Sequence, residues 1–83
     1  MYQFEILLEE KKLTTKQTDL LFDMGLKNGI SVTPEGDVWL AFSRSAFSLE
    51  SAIMVAVDNI REAGMGVASV LIDGKSLNWN EVI

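Results

Sequence analysis

The chain is predicted to fold as one α+β domain of the ferredoxin-like βαββαβ type. Three observations predict it. Alternating and helical hydrophobic patterns follow one another in the order strand, helix, strand, strand, helix, strand. Pro34-Glu35-Gly36-Asp37 has turn chemistry and joins the two middle strands directly, so they form a hairpin. Each helix connects a pair of strands. Right-handed crossovers then put both helices on one face of a four-stranded antiparallel sheet, in spatial order 4-1-3-2.

Tyr2 to Glu9 alternates, with Tyr2, Phe4, Ile6 and Leu8 on one face and Gln3, Glu5, Leu7 and Glu9 on the other. That is the pattern of a half-buried strand. Thr14 to Met24 reads as the first helix. Thr14 and Gln17 have the spacing of a capping box, in which each side chain satisfies an orphan backbone N–H. Leu13, Leu20, Leu21 and Met24 form its buried stripe, and Gly25 stops it. Ile30 to Thr33 and Val38 to Ser43 are the hairpin strands. The second sets Val38, Leu40 and Phe42 against Trp39, Ala41 and Ser43.

Ser48 to Ala63 is the second helix. Ser48 is its expected N-cap, and Glu50 suits the positive end of the dipole. Leu49, Ala52, Ile53, Ala56, Val57, Ile60 and Ala63 gather on one face, and Gly64 ends the helix. Val67 to Ile72 is the last strand, after which Asp73-Gly74-Lys75 turns the chain away. Asn78 and Glu81 have N-cap and N3 spacing ahead of Val82 and Ile83, like the opening turn of a helix. The expected organisation is a domain over residues 1–75 and a tail, residues 76–83, carrying an incipient helix.

Composition bounds the function. The chain has 83 residues, 48% hydrophobic and 23% charged, enough for one globular core. Lys plus Arg is 7 and Asp plus Glu is 12, a net charge of −5. Such a chain is repelled by nucleic acid unless its basic residues cluster. Lys11, Lys12 and Lys16 sit together, while Lys27, Arg44, Arg61 and Lys75 are scattered. Histidine and cysteine are absent. That removes the two side chains most used for chemistry at neutral pH, along with any disulfide framework or zinc cage built on cysteine.

Gly64-Met65-Gly66-Val67-Ala68-Ser69 imitates a dinucleotide loop, but it follows a helix and precedes a strand, the wrong order for holding a pyrophosphate. Ser43, Ser45 and Ser48 have no histidine base. Glu9-Glu10 and Glu35-Gly36-Asp37 fall short of the ligand count of a calcium loop. No enzyme activity, metal or cofactor is expected. The start Met1-Tyr2-Gln3-Phe4-Glu5 lacks the basic region of a signal peptide, and no apolar run nears the ~20 residues that span a bilayer. A cytoplasmic location without membrane attachment is expected.

Function is expected on the sheet face that the helices leave open. Glu5, Leu7 and Glu9 of the first strand, Trp39 and Ala41 of the third, and Val67, Ser69 and Leu71 of the last are placed there. Leu7, Trp39 and Leu71 would form an apolar patch edged by Glu5 and Glu9, the mark of a partner-binding surface. The competing arrangements are a tail that covers Trp39, or a strand phase one residue off, which would invert every side chain. Met54 and Val55, among Asp58, Arg61 and Glu62 on the second helix, are secondary interface candidates, although single exposed apolar residues are ordinary. Trp79 in the tail is a third.

Met1-Tyr2-Gln3-Phe4-Glu5, Leu13-Thr14 with Leu21-Phe22-Asp23-Met24-Gly25, Phe47-Ser48-Leu49-Glu50-Ser51-Ala52-Ile53 and Trp79-Asn80-Glu81-Val82 carry a resemblance. The chain resembles a family of small prokaryotic proteins, described as DNA-binding or antitoxin-like regulators, in which a βαββαβ domain precedes a short helix-turn-helix. The similarity covers most of the chain, through motifs that are mainly structural. The sequence stops where the DNA-reading helices would begin. The resemblance therefore implies the N-terminal module, whose work would be self-association or partner binding. Size, acidity and the missing catalytic set also make the chain similar, as a class, to small inhibitors of phages and mobile elements such as anti-CRISPR proteins, which occupy a surface of a larger nucleic-acid enzyme.

The expected function is a non-catalytic protein–protein interaction module, a homodimer or bound to a larger partner that it regulates or inhibits. Direct nucleic-acid binding is not expected. The alternative is a shortened DNA-binding or antitoxin-type transcriptional regulator.

Overall fold

The structure, a computed structural model, describes residues 2–26, 29–72 and 75–78, the last four through their backbone. The elements in chain order are β1 (Tyr2–Leu8), α1 (Thr15–Asp23), β2 (Ile30–Val32), β3 (Val38–Arg44), α2 (Leu49–Glu62), β4 (Val67–Ile72) and β5 (Lys75–Asn78). The strands form one antiparallel sheet in the order β2-β3-β1-β4-β5. The first four strands and two helices have the predicted ferredoxin-like βαββαβ arrangement and the predicted neighbours.

The four-stranded expectation needs one correction. Lys75–Asn78 returns as a fifth strand beside β4, with Ile72 opposite Lys75 and Ser69 opposite Asn78. The chain after β4 thus comes back antiparallel beside it instead of leading away. Asn78, read as the N-cap of a tail helix, ends a strand. Lys75-Ser76-Leu77-Asn78 has only one strongly apolar residue, too little for a strand pattern of its own. The helical turn expected beyond it falls outside the described residues.

Helix ends follow local chemistry. Gln17 N–H donates to the Thr14 hydroxyl at 3.1 Å and Thr14 N–H donates to Gln17 Oε1 at 2.9 Å, completing the capping box. Ser51 N–H donates to the Ser48 hydroxyl at 3.1 Å, so Ser48 caps α2. Both helices stop in the same way. Gly25 N–H donates to the Phe22 carbonyl and Leu26 N–H to the Leu21 carbonyl; Gly64 N–H donates to Arg61 and Met65 N–H to Ile60. These are Schellman closures, and each needs a left-handed residue. Gly25 and Gly64 supply it, at φ +86° and +83°. In each closure the residue after the glycine, Leu26 or Met65, is buried in the core.

The core lies between the helices and one sheet face. Phe4, Ile6 and Leu8 of β1, Val38, Leu40 and Phe42 of β3 and Val70 of β4 pack with Leu21 of α1 and Ala52, Ile53, Ala56, Val57 and Ile60 of α2. Phe4 and Phe42 stack, with ring centroids 5.3 Å apart. The Arg44 guanidinium stands 5.2 Å from the Phe42 centroid and donates to the Met24 carbonyl at 3.2 Å. It closes the core's edge and places a cation at the negative end of α1. Lys11 pairs with Asp37, tying the β1–α1 loop to the hairpin turn. Among the described residues no helix is long and apolar enough to cross a membrane.

Two substitutions separate packing from backbone conformation. Leu40→Ala empties the centre of the core and should cost about 2–5 kcal/mol in urea unfolding. Gly64→Ala meets no atom within 4 Å of the added methyl. Its cost is the left-handed backbone alone and should be about 1–2 kcal/mol.

Candidate protein-binding site

The β1–β3 register fixes the open face. Leu7 lies opposite Trp39, Glu5 opposite Ala41 and Gln3 opposite Ser43. Opposed residues share a face. Since the alternate residues Phe4, Ile6, Val38, Leu40 and Phe42 are buried, this row points away from the helices. The strand phase is the one read from the sequence. On the other side of β1, Leu7 faces Ser69 and Glu5 faces Leu71. Ser31 of β2 lies opposite Trp39.

Leu7 and Trp39 therefore form a direct cross-strand pair. Leu71 sits on the diagonal from Leu7, within reach of a long side chain. Leu7, Trp39 and Leu71 are each half-buried. Glu5 is half-buried too and lies inside the patch, flanked by Ala41 and Leu71, instead of at its rim. Among the described residues the centre of this face thus presents the Trp39 indole, Leu7, Leu71 and the Glu5 carboxylate, with the hydroxyls of Ser31, Ser43 and Ser69 around them. Such a surface can bury an aromatic anchor and select a basic group through Glu5.

Glu9 stands beyond the strand pairs that build the patch. It lies past the end of β1, exposed, with its N–H donating to the Gly66 carbonyl at 2.9 Å. Its carboxylate rests over Gly66, so a Cβ there would meet Glu9 Cδ at 2.8 Å. The neighbouring Glu10 carboxylate accepts the Gly66 N–H at 3.0 Å. The pair thus fastens the strand exit to the α2–β4 loop. Nothing local in Glu9-Glu10 announces a partner more than fifty residues away.

Val67 is also misplaced by strict alternation. The pairing slips between Leu7 and Leu8, so Leu8 opposes Val67 while Leu7 opposes Ser69. Ala68 is the extra residue of a β-bulge. The slip turns Val67 into the core, against which it packs.

Met54 and Val55 stand on the solvent side of α2, 49% and 60% exposed. Trp79 lies outside the described residues. The most exposed large apolar side chain among the described residues is one not named as an interface candidate from the sequence, Phe47 at 104%. Its position just before the N-cap is that of a hydrophobic staple, whose partner would be Ala52. Ala52 is buried and offers only a methyl group, so Phe47 stays in solvent. Among the described residues no group of three or more Asp, Glu, His or Cys is placed to hold a metal ion.

The two neighbouring carboxylates should separate in a stability measurement. Glu10→Ala strands the Gly66 N–H and should lower unfolding free energy by about 1–2 kcal/mol. Glu9→Ala, at an exposed position, should stay within about 0.5 kcal/mol of the parent.

No protein-family model, curated protein or solved structure matches the chain.

Proposed function

We propose that the chain is a non-catalytic protein-binding module that regulates or inhibits a larger protein partner by occupying part of its surface. The open sheet face is the contact, with Trp39 as anchor, Leu7 and Leu71 beside it, and Glu5 choosing a partner with a basic group. The observation that carries this reading is the direct Leu7–Trp39 pair on the face turned away from the helices. An indole there adds nothing to the core cluster, and a cross-strand pair of this kind supplies a rigid, amphipathic anchor of the sort that dominates interface energetics.

The acidic balance supports a protein partner over nucleic acid. At a net charge of −5, and with Glu5 inside the patch, phosphate is repelled from the face. This also distinguishes it from ferredoxin-like sheets that stack RNA bases on aromatics set among basic residues.

Trp39→Ala is the direct test. Used as bait in lysate of the source cell, the parent chain should retain a protein partner after nuclease treatment. The variant should hold that partner about 30-fold more weakly, the loss expected for an interfacial anchor, while its urea-unfolding transition stays cooperative. Unchanged capture by the variant, or capture that vanishes with nuclease, contradicts the reading. Light scattering of the chain alone checks the competing occupant, a second copy.

A further inference from the structure

The helical side of the molecule carries a second feature. A groove of about 420 Å³ runs between the last turns of the two helices, lined by Leu20, Asp23 and Met24 from α1 and by Asn59, Glu62 and Ala63 from α2. Leu20, Met24 and Ala63 are half-buried apolar side chains. Val55, one turn before Asn59 on the same side of α2, extends this apolar line and is 60% exposed. Asp23 and Glu62 are exposed, and each is the last residue of its helix.

The charged side chains that line the groove, Asp23 and Glu62, are of one sign. A helix C-terminus carries roughly half a negative charge, and cations are favoured there. Here both C-termini border one groove, and each ends in a carboxylate. None of the lining residues is basic. Arg61, in the last turn of α2, is not among them. Arg44 reaches the Met24 carbonyl from β3 and also stands outside the lining.

We propose that this groove is a second docking site, which takes an arginine- or lysine-bearing amphipathic segment of a protein partner. Charge complementarity selects this occupant. A basic side chain has an apolar stem that fits along Leu20, Met24, Ala63 and Val55, and a cation that meets the carboxylates of Asp23 and Glu62. Nucleic acid and anionic lipid bring the wrong charge. The site lies on the helical side and the Trp39 patch on the open sheet face, so each can stand or fail alone.

The test uses the full chain, isotope-labelled, and two synthetic peptides. One carries arginine and leucine at helical spacing. The other has the same arginines with serine in place of leucine. Titration followed by NMR should move the amides of Leu20, Asp23, Met24, Asn59, Glu62 and Ala63, and the leucine-bearing peptide should bind more tightly. The double substitution Asp23→Asn with Glu62→Gln should weaken it about tenfold. That change takes negative charge off the negative helix ends, so the melting temperature should hold or rise. Trp39→Ala should leave peptide affinity unchanged. Equal binding of both peptides, shifts spread over the sheet face, or undiminished affinity in the double variant would overturn the proposal.

Discussion

β1 pairs with β3 without interruption from Tyr2 opposite Arg44 to Leu7 opposite Trp39. This register is the constraint on which the other features rest. Side chains in a strand have a period of two, so one pairing assigns every residue of both strands to a face. It stacks Phe4 on Phe42, sets Ile6 beside Leu40 beneath the helices, and leaves Leu7 against Trp39 on the other side. A slip of one residue would invert one strand against the other and drive Glu5 of β1 or Trp39 of β3 into an interior where, among the described residues, no polar or charged side chain is buried. Burying an unpaired carboxylate costs several kcal/mol, so the register has no nearby competitor.

The helices then cover one face of the sheet and connect its strands. Each begins at a hydroxyl cap and ends at a left-handed glycine, and the residue after each glycine drops into the core. The two halves of the chain thus solve the same problem twice, a strand feeding a capped helix that is closed by a Schellman turn. Loop fastenings supplement this repetition. Glu10 holds Gly66, Lys11 pairs with Asp37, and Arg44 reaches back to the end of α1. Each joins segments distant in sequence at the periphery, where apolar packing is thin.

Much of this was legible from single residues and their spacing. The alternation of β1 and β3, the Thr14–Gln17 box, the Ser48 cap and the stops at Gly25 and Gly64 are local signals, and the structure uses each one. What escaped is what depends on distant pairing. β5 exists because β4 offers it an edge, not because its residues alternate. The bulge at Ala68 is visible only against β1. Val67 therefore moves to the core, and the contact of Glu9 and Glu10 with Gly66 likewise depends on a distant partner. Leu7, Trp39, Leu71 and Glu5 stay on the open face because each sits where the β1 pairings are regular. Phe47 was missed for the opposite reason: its position has a known packing role, and only the smallness of Ala52 shows that the role is unfilled.

The two faces divide the surface. The sheet side offers an aromatic patch with an internal carboxylate, the helical side offers an acidic groove, and Phe47 stands exposed in the connection before α2. The proposed partner contact is tested most directly by hydroxyl-radical footprinting of the chain, alone and bound to a captured partner, with mass spectrometry at residue resolution. Oxidation of Trp39, Leu7 and Leu71 should fall in the complex while that of Phe47 holds. Undiminished oxidation of Trp39 in a complex that is demonstrably formed would contradict the assignment of the open sheet face as the binding surface.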